Sequence, residues 1–345
     1  MKEKTRATRL AWPPGTKRLY AHDTLSHSLT APKLDAHRRE LLAYSYRMLG
    51  SLADAEDAVQ DALERALQGL SELQHEAALR SWLYRITTNV CLGELKQASR
   101  RALPLELVEA SPPEPNLEAR LTDGAWLDPC PEALRTACAP TAEAVFSAKE
   151  SVTLAFVAAL QHLSPTQRAV VLLRDVLGFS AQEAADVLER SADSINSALL
   201  RGRAVLNEKR KRQPSIEHLG DRERQLLSSY LDAWRAGSAS DIASLLAEDV
   251  TMSMPPYALW LNGRDDVVRF LPFVFEMIGE AHFEPLEVSG GPGLACYSRS
   301  GSDGTFEPFG LQALSLAASQ VTAIHAFLIP ELFPAFNLKA PDAFD

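Results

Sequence analysis

Apolar side chains at Val59, Ala62, Leu63, Ala66, Leu67 and Leu70 recur at i, i+3, i+4 and i+7, which predicts a helix with one buried stripe. Asp57, Gln60, Asp61 and Glu64 keep the same spacing on the opposite side and form an acidic ridge. Asp54 and Glu56 add negative charge where the helix begins, the end its dipole makes positive. In the helix that follows, Leu79, Leu83, Ile86 and Val90 form the core stripe. Arg85, Thr88, Asn89, Leu92 and Lys96 share another of its faces, and Arg100 and Arg101 come just after. Such a mixture of Arg, Lys, Asn and Thr can hold phosphates while offering hydrogen bonds to bases. Trp82 and Tyr84 stand near enough to stack on an unpaired base, although a tryptophan at helical spacing is more often core.

The next patterned stretch opens at Ser164-Pro165, an N-cap candidate followed by proline at the first helical position, and Gly178 can end it. Ser180 caps a short helix over 181–188, with Glu183 completing a capping box. A break at 189–192 precedes another helix over 194–206. Small polar residues lie early in it (Ser194, Asn196, Ser197) and arginines late (Arg201, Arg203). Two short helices joined by a tight turn are the helix-turn-helix design. In the major groove Asn and Ser would reach base edges while Arg201 and Arg203 hold the backbone, and Ser180 completes the candidate set.

From residue 217 the pattern changes. Helices are expected at 226–235, 240–246 and 263–271, and a strand at 250–254. Further strands near 281–289, 294–300, 306–316 and 319–328 are separated by turn signals at 290–293 and 302–304, an antiparallel meander and so an α+β module.

Composition divides the chain further. Residues 102–148 are acidic and hold seven prolines, which prevent one long helix and favour an extended linker. Within it Trp126-Leu-Asp-Pro-Cys-Pro131 offers an aromatic anchor flanked by prolines. Residues 1–34 show no periodicity and read as a flexible basic tail. The net charge of −10 would oppose a nucleic-acid partner if it were uniform. It is not: residues 217–345 carry −11, 102–148 carry −6 and 149–216 carry +3. Cys91, Cys130, Cys138 and Cys296 lack metal-ligand spacing, so no metal, no cofactor and no disulfide scaffold is expected, and a reducing cytoplasm fits. No stretch approaches the apolar run of a membrane helix, so no membrane insertion is expected.

The helical segments together resemble a family. Asp54-Ala-Glu-Asp-Ala-Val-Gln-Asp61 is similar to the region-two helix of bacterial extracytoplasmic-function sigma factors. Ser81-Trp-Leu-Tyr-Arg-Ile-Thr-Thr-Asn89 resembles the promoter-melting segment after it. Leu163-Ser-Pro-Thr-Gln-Arg-Ala-Val170 and Gly178-Phe-Ser-Ala-Gln-Glu-Ala-Ala185 resemble region four. The resemblance implies no enzymatic activity and two partners, core RNA polymerase (β′ clamp and β flap) and promoter DNA. Asp54, Glu56, Asp57, Gln60 and Asp61 would dock on the β′ clamp. Trp82, Arg85, Thr88, Asn89, Lys96, Arg100 and Arg101 would read the minus-ten element. Region four would read the minus-thirty-five element. Four positions depart from the family pattern: Glu189 where the turn often holds glycine, Gly202 between Arg201 and Arg203, and Ala198 and Leu200 where many relatives carry basic or polar residues.

The C-terminal module, through Tyr230-Leu-Asp-Ala-Trp234, Leu245-Leu-Ala-Glu-Asp-Val-Thr251 and Leu261-Asn-Gly-Arg-Asp265, resembles a SnoaL-like domain of the nuclear-transport-factor-two class. The expected architecture is multi-domain. Two all-α sigma modules occupy 35–101 (a region-two bundle) and 149–212 (a region-four helix-turn-helix). An α+β cone follows at 217–345. Asp249, Tyr257, Trp260, Arg264 and His325 could line the cone's pocket, with Tyr257 and Trp260 read as wall and His325 as a satisfied structural histidine. A regulatory role is favoured, and a small molecule or a protein could act on the module. The competing reading is a helix-turn-helix regulator with a ligand-binding or residual cyclase-like domain. It leaves Asp54–Asp61 and Trp82–Asn89 without a task.

Overall fold

The computed structural model describes residues 33–70, 73, 75, 78–97, 101–113, 117, 121, 124–135, 153–210, 221–299, 305–317 and 319–339. The basic tail at 1–32, Arg100, Cys138 and the run at 211–220 lie outside the described residues.

The first module packs α1 (Arg38–Leu49), α2 (Leu52–Gln68) and α3 (Leu79–Gln97) against one another. α1 ends at Gly50, whose φ of 75° lets its N–H close back on Tyr46 O at 2.7 Å. Ser51 then caps α2 through its hydroxyl, which accepts the Asp54 N–H at 3.3 Å. Ala55, Ala58, Val59, Ala62, Leu63 and Ala66 turn inward from α2.

The second module comprises α4 (Leu154–Leu160), α5 (Pro165–Val171), α6 (Ala181–Leu188) and α7 (Ala192–Arg210). α5 and α6 open on full capping boxes, Ser164 with Gln167 and Ser180 with Glu183. A π-turn at Leu172–Val176 continues α5. Between α6 and α7 the chain turns on Glu189, held at φ 53° in the left-handed region that glycine enters more easily. α7 begins earlier than its sequence pattern suggests, because Ser191 Oγ accepts the Ser194 N–H at 3.2 Å. Gly202 is buried where α7 crosses α5, and a Cβ there would stand 2.8 Å from Val171 Cγ2. This departure from the family pattern is therefore a steric requirement of the helix crossing.

The two helical modules are not independent. α6 packs on α3, and α4 and α5 pack on α1. Buried residues of both modules form one continuous apolar cluster.

The C-terminal module carries α8 (Asp221–Arg235), α9 (Ala239–Leu245) and α10 (Arg264–Ile278) on a six-stranded sheet of order β2-β1-β6-β5-β4-β3. Its strands are β1 (Leu246–Ser253), β2 (Trp260–Asn262), β3 (Ala281–Val288), β4 (Gly291–Arg299), β5 (Phe306–Ala317) and β6 (Gln320–Phe327). The expected meander is β3 to β6. The sheet as a whole is mixed, because β1 pairs in parallel with β6 and antiparallel with the unexpected short β2. The helix expected to stop at 271 runs on through Pro272 to Ile278. One sheet face buries Met252, Leu294, Ile324 and their neighbours under the helices. The other presents Tyr297, Leu311 and Phe327 to the 3₁₀ segment Pro330–Phe336 and to the cluster shared by the helical modules.

Alanine favours a helix over glycine by about 1 kcal/mol. Even so, Gly202→Ala is expected to lower the urea midpoint, because its methyl meets the buried Val171. In a Val171→Ala background the same change should become stabilising, a coupling that a double-mutant cycle measures directly.

Candidate nucleic-acid interface

On α2 the ridge faces outward. Glu56, Asp57 and Gln60 are exposed and Asp61 half-buried. Asp61 is held by both arms of Arg65, at 2.9 and 2.7 Å, and Gln60 donates to Glu64 at 3.2 Å. Asp54 is engaged from the far side, by Arg101 Nη2 at 2.5 Å.

α3 sorts the second set of candidates. Asn89 and Lys96 are exposed, while Arg85 and Leu92 are half-buried. Trp82 is half-buried and packs against the core. Thr88 is overturned as a DNA contact: it is fully buried, donates to Tyr84 O at 2.6 Å and pairs with the Tyr44 hydroxyl at 2.9 Å. Tyr84 is overturned as a stacking platform, for its ring is buried and its hydroxyl donates to Glu40 at 3.1 Å. The face counted at helical spacing misassigned Thr88, and nearness along the chain misassigned Tyr84, since α3 is covered on more than one side. Arg101 is only 11% exposed, with Nη1 on Trp126 O at 3.2 Å and Nη2 on Asp54. In this arrangement it binds protein rather than phosphate.

On α7, Asp193, Asn196, Ser197, Leu200 and Arg201 form the exposed face, opposite the buried Ile195, Ala198 and Leu199. Ser194 is half-buried beside its cap. Ser180 is exposed and spends its hydroxyl on the Glu183 N–H. Arg203 is tied by both arms to Asp175, at 3.0 and 2.6 Å, which leaves Arg201 as the outward arginine of the pair.

The joint between the modules contains residues the sequence did not single out. Arg80 lies over the Tyr84 ring at 5.1 Å and the Phe179 ring at 4.9 Å, while Nε donates to Glu40 at 3.2 Å. It thus joins α3 and α1 to the loop before α6. Arg168, in α5, is buried and donates to Met48 O and Gln161 Oε1. A cation there meets the carbonyl end of α1, which its dipole makes negative.

The linker is bound at several points. Asp128 is buried, and its carboxylate accepts the Leu52 N–H, the first of α2, at 2.8 Å. Its own N–H and C=O engage Gly50 O at 3.0 Å and the Tyr46 hydroxyl at 2.8 Å. Burial holds the Asp128 carboxyl above its ordinary pKa, against the pull of the Leu52 N–H and Arg101. Two residues on, Cys130 and Ser289 exchange hydrogen bonds at 2.9 and 2.8 Å, and Arg135 pairs with Glu287 at 2.9 Å. At the other sheet edge Ser111 N donates to Trp260 O at 2.8 Å, and Trp260 Nε1 to Val108 O at 2.9 Å. Leu127, Asp128 and Cys130 anchor this stretch, whereas Trp126, the expected anchor, is only half-buried.

Of the candidate pocket residues of the C-terminal module, Trp260 and His325 stand on either side of Ser253 across β2, β1 and β6. His325 is buried with Nδ1 2.8 Å from Ser253 Oγ, and burial pushes its pKa down to about 4. Trp260 lies under the linker, Tyr257 packs against the core and Asp249 is exposed. Arg264 stands with Asp265 and Arg269 along a shallow groove of about 410 Å³ beside α9.

Two helical modules joined by a long linker, the first bearing an acidic ridge and the second a helix-turn-helix, have the layout of a sigma factor. Family models agree: Sigma-70 region 2 matches residues 34–101, Sigma-70 region 4 matches 153–206, and a SnoaL-like domain matches 227–323. The ECF RNA polymerase sigma factor SigG of Mycobacterium tuberculosis (strain ATCC 25618 / H37Rv) is 38% identical over 313 residues, covering 90% of this chain and 83% of that protein. SigJ of the same strain is 27% identical, covering 89% and 94%. The crystal structure of M. tuberculosis SigJ shares the fold at TM-score 0.58 and 21% identity, over 89% of this chain and 99% of that one. The chain belongs to the extracytoplasmic-function RNA polymerase sigma factors, which bind core polymerase and direct it to promoters.

Thr88→Val is expected to cost about 1–3 kcal/mol of unfolding stability, because the Tyr44 hydroxyl loses its buried partner. A permanganate footprint of the promoter, taken where the variant is still folded, should match that of the parent.

Proposed function

We propose that this arrangement is the resting, closed state of the sigma factor, and that its modules divide the work of initiation. Residues 35–101 dock on the β′ clamp through Asp54, Glu56, Asp57, Gln60 and Asp61. The same module reads the minus-ten element through Trp82, Arg85, Asn89 and Lys96. Residues 149–212 engage the β flap and read the minus-thirty-five element through Asn196, Ser197 and Arg201. The acidic linker 102–148 joins them, and 217–345 modulates the balance. The protein works in the cytoplasm with polymerase and carries out no chemistry of its own.

The observation that carries the closed-state reading is α6 seated on α3. Packed helix axes stand about 8–10 Å apart, so α7, one helix further on, lies within about 20 Å of α3. The two promoter elements are about 25 base pairs apart, or about 85 Å of duplex at ~3.4 Å per pair. Both cannot be read until the modules separate. The 56 residues between α3 and α4 (98–153) could span about 190 Å when extended, so the tether permits it. In the closed state the C-terminal module holds that tether folded at Cys130 and Ser111. Its charge of −11 is opposite in sign to the second module's +3, and complementary fields of that kind favour docking. It is therefore read as a brake.

Arg80→Ala tests the closed state, because it removes the bridge to Phe179 while changing a side chain that is 40% exposed. Fluorescence energy transfer between labels on α2 and α7 should fall, and multi-round transcription with core polymerase should rise. Unchanged transfer together with unchanged transcript would refute the brake. Asp57→Arg with Asp61→Arg tests the ridge. It should abolish co-purification with core polymerase at a stability change of about 0.5 kcal/mol or less.

A further inference from the structure

We propose that Leu200 is a base-reading residue, which recognises the 5-methyl group of a thymine in the upstream promoter element. The proposal rests on the assignment of α7 as the helix that enters the major groove. α7 folds by burying Ile195, Ala198, Leu199 and Gly202 against α5 and α6. Leu200 takes no part in that packing. It is 73% exposed, while the other exposed large apolar residues among those described, Leu105 and Leu107, are each 38%. It also does not stand on an indifferent surface. Asn196, Ser197 and Arg201 lie within one turn of it on the same face, each exposed and each a hydrogen-bonding group. Arg203, the other late arginine, is turned aside by Asp175.

Major-groove chemistry gives each of these groups a different target. Asn and Ser suit the donors and acceptors of base edges, and Arg201 suits a phosphate or a guanine edge. Thymine alone presents an apolar methyl there, and an apolar side chain is what contacts it. Leucine in the middle of a polar reading face thus selects for thymine at one base pair, without a hydrogen bond. The same placement explains why a basic residue is dispensable at 200, since Arg201 next to it supplies the charge.

The test uses full-length protein bound to core RNA polymerase and a duplex library randomised upstream of the minus-ten element. On the enriched sequence each thymine is replaced in turn by deoxyuracil, which deletes the methyl and keeps the pairing. For the parent protein, one replacement, or two adjacent ones, should weaken binding about fourfold, the worth of one buried methyl-sized group. Leu200→Ala should bind the thymine duplex more weakly by a similar factor and ignore the replacement, with its thermal unfolding unchanged. Indifference of the parent to every replacement would overturn the proposal, as would full sensitivity retained by Leu200→Ala. A holoenzyme that enriches no upstream sequence would overturn the region-four assignment as well, so the two failures are distinguishable.

Discussion

The structure depends on one apolar cluster that two modules share. Each is too small to bury its own helices completely, and each completes the other. Tyr84 of α3 meets Tyr44 edge-on at 5.3 Å and Phe179 of the second module at the same distance. Val170, Val171, Leu172 and Leu173 are all buried at 1% or less, next to a first module whose Leu41, Tyr44 and Tyr46 are equally hidden. The hydrophobic term is proportional to area and indifferent to which module supplies it. What fixes the mutual orientation is polar: Arg168 on the carbonyl end of α1, and Arg80 between Glu40 and Phe179. A buried guanidinium without its acceptors is costly, so this joint tolerates few alternative registers.

The linker turns that joint into a three-part assembly. Asp128 satisfies a helix N–H that would otherwise be an orphan and places negative charge at the positive end of α2. Two residues later Cys130 hands the chain to Ser289, which sits at φ 52° in the β3–β4 turn. Gly50 makes this possible, because a Cβ there would lie 2.5 Å from Leu127 Cδ2. The N-terminus of α2 and the C-terminal sheet are thus connected through a handful of backbone and carboxylate contacts.

Local features of the fold were legible in the sequence because they are set by local chemistry. Ser164, Ser180 and Glu183 announce caps, and the capping boxes are present. The inward stripe of α2 follows its 3.6-residue period. The errors all have a tertiary cause. Thr88 and Tyr84 share α3 with Asn89, and nothing in their spacing reveals that α1 and the second module cover one side while the other stays open. Trp126 drew attention by size, but the anchoring atoms belong to Asp128 and Cys130, whose partners lie 76 and 159 residues away. Gly202, a departure from the family pattern, lies where α7 comes too close to Val171 of α5 for a Cβ. The parallel pairing of β1 with β6 escapes a reading of neighbouring strands because the two are separated by the whole meander.

A closed sigma factor whose reading faces stay exposed behaves differently from one whose faces are masked. Asn89, Lys96, Asn196 and Arg201 are open to solvent here, so the closed state would engage one promoter element at a time and never both. Polymerase binding would shift the population by holding the modules apart, to the extent that it binds the open form better. To move the balance from 1:99 to 99:1 that preference must reach about 10⁴-fold, or ~5.5 kcal/mol. On the proposed assignment, core polymerase would grip the ridge on α2 and the second module at separate sites and so draw on two interfaces at once.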